Sequence, residues 1–233
     1  MQPGVGASAE NEPGSLTVSL DRRAVGLLGL VSIGIVLAGA VAAALPYHGY
    51  AGEGYSPLNH FISELGEIGV SRLAWAYNLG LVVGGLGLGG FLVMLSRMMS
   101  GRIRLVFLAV SIVASLAGAM CGLFPMDYLS THRLVSGIFF LTGWLVAATF
   151  TVWLALSRPV QFPGWLTAPG VAVVIVFMAF IGVYATYHPA DPNAHILARP
   201  EVWTVPLLEW AALLSLLAWM ACVAATLLRG RAD

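Results

Sequence analysis

Six apolar runs decide what this chain can become. They cover residues 24–45, 73–95, 103–124, 134–156, 165–186 and 205–228, each long enough to cross about 30 Å of hydrocarbon. In such a layer every backbone N–H and C=O must be satisfied within its own segment, so these runs must be helices. The pattern predicts an all-α polytopic membrane protein: a six-transmembrane-helix bundle forming one domain over 21–230. Residues 1–20, rich in Gly, Ser, Glu and Pro, should be a disordered cytoplasmic tail. The chain is 59% hydrophobic and 9% charged, against about 25% charged residues in a soluble domain. Its formal charge of +0 argues against a nucleic-acid partner, which would need a basic surface.

The first run follows Arg22-Arg23 and exceeds the roughly 7–15 residues of a secretory h-region. It reads as an uncleaved span, although Ala42-Ala43-Ala44 resembles a cleavage site. Cys121 and Cys222 should differ in depth by roughly 15 Å at about 1.5 Å of rise per residue, beyond disulfide reach. Pro169 should kink the fifth span near its start, and Pro206 suits the first turn of the sixth. Gly80, Gly84 and Gly87, with Gly85 and Gly89 beside them, and Ala114, Gly118 and Gly122 form small-residue stripes that let bilayer helices approach closely.

All basic residues are arginine. Arg22, Arg23, Arg97, Arg102, Arg104, Arg158, Arg229 and Arg231 fall on one side of the bundle; Arg72, Arg133 and Arg199 fall on the other. The positive-inside rule makes the first side cytoplasmic, with both termini inside. All five histidines then lie outside, with Glu53, Glu64, Glu67, Asp127, Asp191 and Glu201, and Glu209 sits one turn into the last helix.

The segment 56–67 gathers most of this polarity. Ser56 can cap a helix beginning at Pro57 and ending at Gly66. On it His60, Ser63, Glu64 and Glu67 share one face, and Leu58, Phe61, Ile62 and Leu65 share the other. That pattern predicts a short amphipathic helix lying in the membrane interface. An imidazole one turn from a carboxylate can form a general-base pair or supply two metal ligands; a wetted polar face is the plainer alternative. Asp127 and His132, between the third and fourth spans, could bind a metal or work as a pair, with Ser136 on the same face as His132. Alternatively Asp127 is a turn residue, with Ser130 or Thr131 as the cap.

Glu209, beside Trp210, is either a favourable charge at a helix N-terminus or a buried acid facing the site. Asn78 should bond across helices rather than to a ligand. His48 and Glu53 read as solvated, and the His188–His195 stretch as a rigid loop with metal binding a minor alternative. The candidate catalytic set is His60, Ser63, Glu64, Asp127, His132 and Glu209. A divalent metal, if present, would sit on His60, Asp127 and His132. The chain has no phosphate-binding loop, nucleophile elbow or His-Glu-x-x-His motif.

Ile62-Ser63-Glu64-Leu65-Gly66, Asn78, Gly118, and Gly122-Leu-Phe-Pro-x-Asp127 followed by His132 resemble the six-pass membrane family catalogued as domain of unknown function nine-nine-eight. More remotely, the Ser-Glu loop, the His opening the fourth span and Glu209-Trp210 are similar to the eukaryotic autophagy-modulator and GPI-lipid-remodelling membrane proteins. The first resemblance implies a six-helix bundle with no assigned activity; the second implies work on membrane lipids. Two readings stay open. One is an outer-face hydrolase or transferase acting on lipids or lipid-linked molecules. The other is a non-enzymatic bundle that binds lipid, senses pH or assists a partner. Transport fits less well, since the spans carry few ionisable groups near the midplane. The oligomeric state is left open.

Overall fold

The computed structural model describes residues 21–187 and 199–229. The expectations for the 1–20 tail, Arg231 and the His188–His195 stretch lie outside the described residues. Six α-helices are long and apolar enough to cross a membrane: α1 (Arg22–Ala44), α2 (Ala74–Ser96), α3 (Ile103–Leu123), α4 (Leu129–Ser157), α5 (Thr167–Thr186) and α6 (Thr204–Arg229). Their lengths run from 20 to 29 residues. Among the described residues there is no strand, only an isolated bridge between Ile68 and Ser71. By length and composition this is a multi-pass membrane protein.

Each helix packs on the next in the chain, and α6 returns to α1, closing a ring in sequence order. The exterior is as apolar as the interior: Leu27, Val31, Leu79, Leu105, Leu134 and Ile175 are exposed. Helices apolar all round suit a lipid surround. The arginine end is filled by aromatics, with the Phe150 ring 5.6 Å from Trp219 and 5.3 Å from Phe162. Both cysteines are free.

The glycine stripes do what their spacing implies, on two faces of one helix. Gly80 and Gly84 meet α1, where a Cβ on Gly84 would stand 2.9 Å from the Ser32 carbonyl oxygen; Gly85 and Gly89 meet α3. Pro169 stands at the start of its helix rather than within it. It falls in the first turn of α5, where its missing N–H removes no intrahelical bond, and a 3₁₀ turn (Gly164–Leu166) leads in. Pro206 lies in the first turn of α6, as expected.

The stretch between α1 and α2 crosses the mouth of the ring at the end opposite most of the arginines. It is helical where the sequence suggested, but shorter and tighter: a five-residue 3₁₀ helix (Ile62–Gly66). Ser56 still caps a turn, its Oγ accepting from the Leu58 amide at 3.3 Å. The expected two-faced arrangement is not kept. Leu58 is exposed, while His60 (2%) and Glu64 (4%) are as buried as Ile62 and Leu65. The segment is inserted among α1, α2 and α6 rather than lying along the interface. Gly69, at φ +91°, makes the turn that returns the chain to α2.

Candidate functional site

The inserted segment can bury its charges because Arg199, just before α6, reaches into it. The guanidinium grips Glu64 with two bonds, Nη1 to Oε1 at 2.9 Å and Nη2 to Oε2 at 2.7 Å. Both side chains are over nine-tenths buried, and such two-pronged charged bonds are the strong kind. Nη1 also donates to the Asn59 carbonyl at 3.2 Å. Glu64 Oε1 further accepts from the Phe61 amide at 2.8 Å, and Oε2 from the Tyr47 hydroxyl at 3.2 Å. Burial, and then the Glu64 charge, push the Tyr47 hydroxyl up, so it stays a donor. Burial works against the Arg199 charge, but its bonds to Glu64 outweigh that and raise it.

His60 lies beside this clasp. Its Nδ1 is 2.8 Å from Asn59 Oδ1 and 3.2 Å from the Ser56 carbonyl, and the Ser56 amide donates towards it at 3.3 Å. Its Nε2 faces Glu53 Oε1 at 3.5 Å, and Arg199 Nε approaches the same oxygen at 3.8 Å. Glu53 is therefore not simply solvated, as its Gly/Tyr-rich surroundings suggested; His48 is exposed. Burial pushes the Glu53 carboxyl up, but backbone amides, His60 and Arg199 outweigh it and hold it below the ordinary range. A carboxyl with a lowered folded-state pKa stabilises the fold above its unfolded value of about 4.3, and that stability is lost as pH falls through the folded value. Glu53→Gln should thus melt below wild type near neutrality, and the gap should close on acidification below about pH 4. Melting curves in detergent across that range check it; a constant gap would contradict the assignment.

The other side of the segment is tied to α2, to α6 and to the 3₁₀ turn (Met126–Tyr128) just before α4. Asn78 donates to the Gly66 carbonyl at 2.9 Å, so it holds the loop rather than a neighbouring helix. Glu209 Oε2 accepts from the Ile62 amide at 2.7 Å, and Trp210 donates to the Tyr55 hydroxyl at 2.8 Å. Asp127 Oδ2 accepts from the Ile68 amide at 2.9 Å. Tyr50 donates to Glu67. Burial, and the nearby charges of Glu64 and Asp127, raise the Glu67 carboxyl although the Tyr50 bond opposes them. Ser63 Oγ touches Met126 Sδ at 3.3 Å.

Beneath the segment lies a cleft of about 430 Å³ between α4, α5 and α6, within the usual range for ligand pockets. Its walls are apolar, from Phe140, Leu141, Phe180, Ile181 and Tyr184, while its polar end is lined by Ser63, Glu64, Glu67, His132, Arg133 and Glu209. His132 Nδ1 lies 2.8 Å from the Phe124 carbonyl, which fixes the proton there and leaves Nε2 an acceptor. Ser136 donates to the His132 carbonyl at 2.7 Å. Glu209, 6% exposed, bonds through Oε2 alone among the described residues, so Oε1 is unused.

Of the six residues expected to be catalytic, Ser63, Glu64, His132 and Glu209 line the cleft; His60 and Asp127 do not. Among the described residues no three His, Cys, Asp or Glu side chains stand close enough to hold a metal ion. The expected ligand trio is divided: His60 faces Glu53, Asp127 takes the Ile68 amide and His132 takes the Phe124 carbonyl. The sequence reading missed Arg199 as the centre of the clasp. Its signal was an arginine on the side where carboxylates gather, but nothing local pairs it with a glutamate 135 positions away.

A family model described as "Protein of unknown function" matches residues 32–226. No curated protein and no solved structure matches the chain.

Proposed function

The chain belongs to the DUF998 family, whose description names no activity, and from the geometry of its own cleft we propose that it hydrolyses or transfers an acyl group on a membrane lipid or lipid-linked molecule. The observation that carries this is the cleft's two-part lining: apolar walls that suit a lipid body, ending at a ring nitrogen and a carboxylate oxygen with no protein partner. By the distribution of arginines, the cleft opens to the outer leaflet and both termini are cytoplasmic.

His132 Nε2 takes the proton of an attacking water or hydroxyl, and returns it to the departing alkoxide as the ester bond breaks. Glu209, which lines the same end of the cleft, offsets the charge of the imidazolium formed in between, and Ser63 orients the polar head. Glu64, His60 and Asp127 act as positioning residues that hold the inserted segment over the cleft. The second reading, a non-enzymatic lipid-binding bundle, would use the same cleft for binding alone.

The test is purified protein in vesicles of ester-linked phospholipids whose acyl chains range from acetyl to palmitoyl, with the ether-linked analogue as control. Released or transferred acyl groups and tightly bound lipid are both read by mass spectrometry. His132→Gln should lower turnover about 10²–10⁴-fold while bound lipid is retained. Equal turnover in His132→Gln removes the catalytic assignment; bound lipid without turnover in wild type favours the second reading.

A further inference from the structure

A second, smaller chamber of about 90 Å³ opens from the same polar cluster towards the centre of the ring. It shares Ser63, His132, Ser136, Phe140 and Glu209 with the outer cleft. Its own walls are mostly aliphatic, among them Val36, Leu81, Leu213 and Leu217, with Tyr77 on α2 and Gly118 and Cys121 on α3. His132 and Glu209, each over nine-tenths buried, thus stand at a junction between two apolar spaces of unequal size.

Size decides what each space can hold. An apolar cavity of about 150 Å³ takes one benzene ring, so the inner chamber has room for only a few carbons. The outer cleft is several times larger and takes the lipid body. A bond reacting at the junction would have the bulky part of the molecule in the cleft and a short apolar group inside.

Resting on the reading that the cleft binds a lipid ester, we infer that the inner chamber selects a short acyl group carried on that lipid. The substrate class is a short-chain acyl ester of a lipid or lipid-linked alcohol. Attack on the ester carbonyl by water or a second hydroxyl releases the lipid alcohol and leaves the short acyl group on the attacking oxygen. The proton passes through His132 Nε2. No redox partner is required.

The experiment uses full-length protein in vesicles doped with phospholipids that carry an ether-linked first chain and an acetyl, butyryl, octanoyl or palmitoyl ester at the second position. Wild type should turn over the acetyl and butyryl lipids and fall at least about tenfold at octanoyl, since a single excess methylene in a filled pocket costs about that much. Leu217→Ala, which enlarges the chamber, should move the preference towards octanoyl. Gly118→Ala is the independent second variant: its added methyl would meet Phe139 at 3.4 Å, an ordinary contact, and it should depress butyryl relative to acetyl. Palmitoyl turnover equal to acetyl, or a preference unmoved by both variants, overturns the short-chain inference but leaves the lipid-ester reading standing. No turnover of any ester, with lipid still bound, overturns both.

Discussion

Arg199→Met is expected to destabilise the protein by about 3–5 kcal/mol, the cost of leaving one half of a buried ion pair alone. Glu64 would keep its bonds from the Phe61 amide and Tyr47 hydroxyl, but its charge would have no counter-ion, and Asn59 would lose a donor to its carbonyl. The double variant Arg199→Met with Glu64→Met should recover most of the loss, because replacing both members with apolar groups removes the uncompensated charge. Thermal unfolding in detergent for the two single variants and the double variant measures this as a cycle. If Arg199→Met melts like wild type, the clasp is not what holds the segment in the ring. A loss in the double variant equal to the sum of the singles would show that the two side chains are not coupled.

The second large effect is steric and lies between α1 and α2. A Cβ on Gly39 would stand 2.7 Å from the Ala76 carbonyl oxygen and 3.2 Å from Gly80 Cα. These are backbone atoms, which cannot rotate away. Gly39→Val adds two further carbons and should cost about 3 kcal/mol through overpacking. Gly34→Val on the same helix is the control: a Cβ there meets nothing within 4 Å, so it should change stability by no more than about 0.5 kcal/mol. Melting temperature and monodispersity in one detergent compare the two directly. Equal behaviour would mean that the close approach of α1 and α2 is dispensable.

Much of the fold was legible because each span carries its own instruction. An apolar run of about 20 residues must be helical in lipid whatever surrounds it, and so both ends of every span fall within five residues of those expected. The glycine stripes were legible for a similar reason, since spacing along a helix fixes which residues share a face. The 56–67 segment was not. Helical spacing there predicted a polar row on a helix lying in the interface, yet His60 and Glu64 are buried because Arg199 and Glu53 meet them inside the protein. Local pattern cannot register a partner that arrives from the far end of the chain.

The candidate site divides along the same line. The sequence alone determined that polar chemistry gathers at one end of a six-helix membrane bundle, and it named Ser63, Glu64, His132 and Glu209 among the residues there. Hydrophobic length and residue type suffice for that. Only the tertiary structure decided which of them share a cleft, that His60 and Asp127 are turned to other partners, and that a larger and a smaller chamber meet at His132 and Glu209. Those facts depend on the order in which six helices close into a ring and on side chains meeting across it, and neither is encoded within a single span.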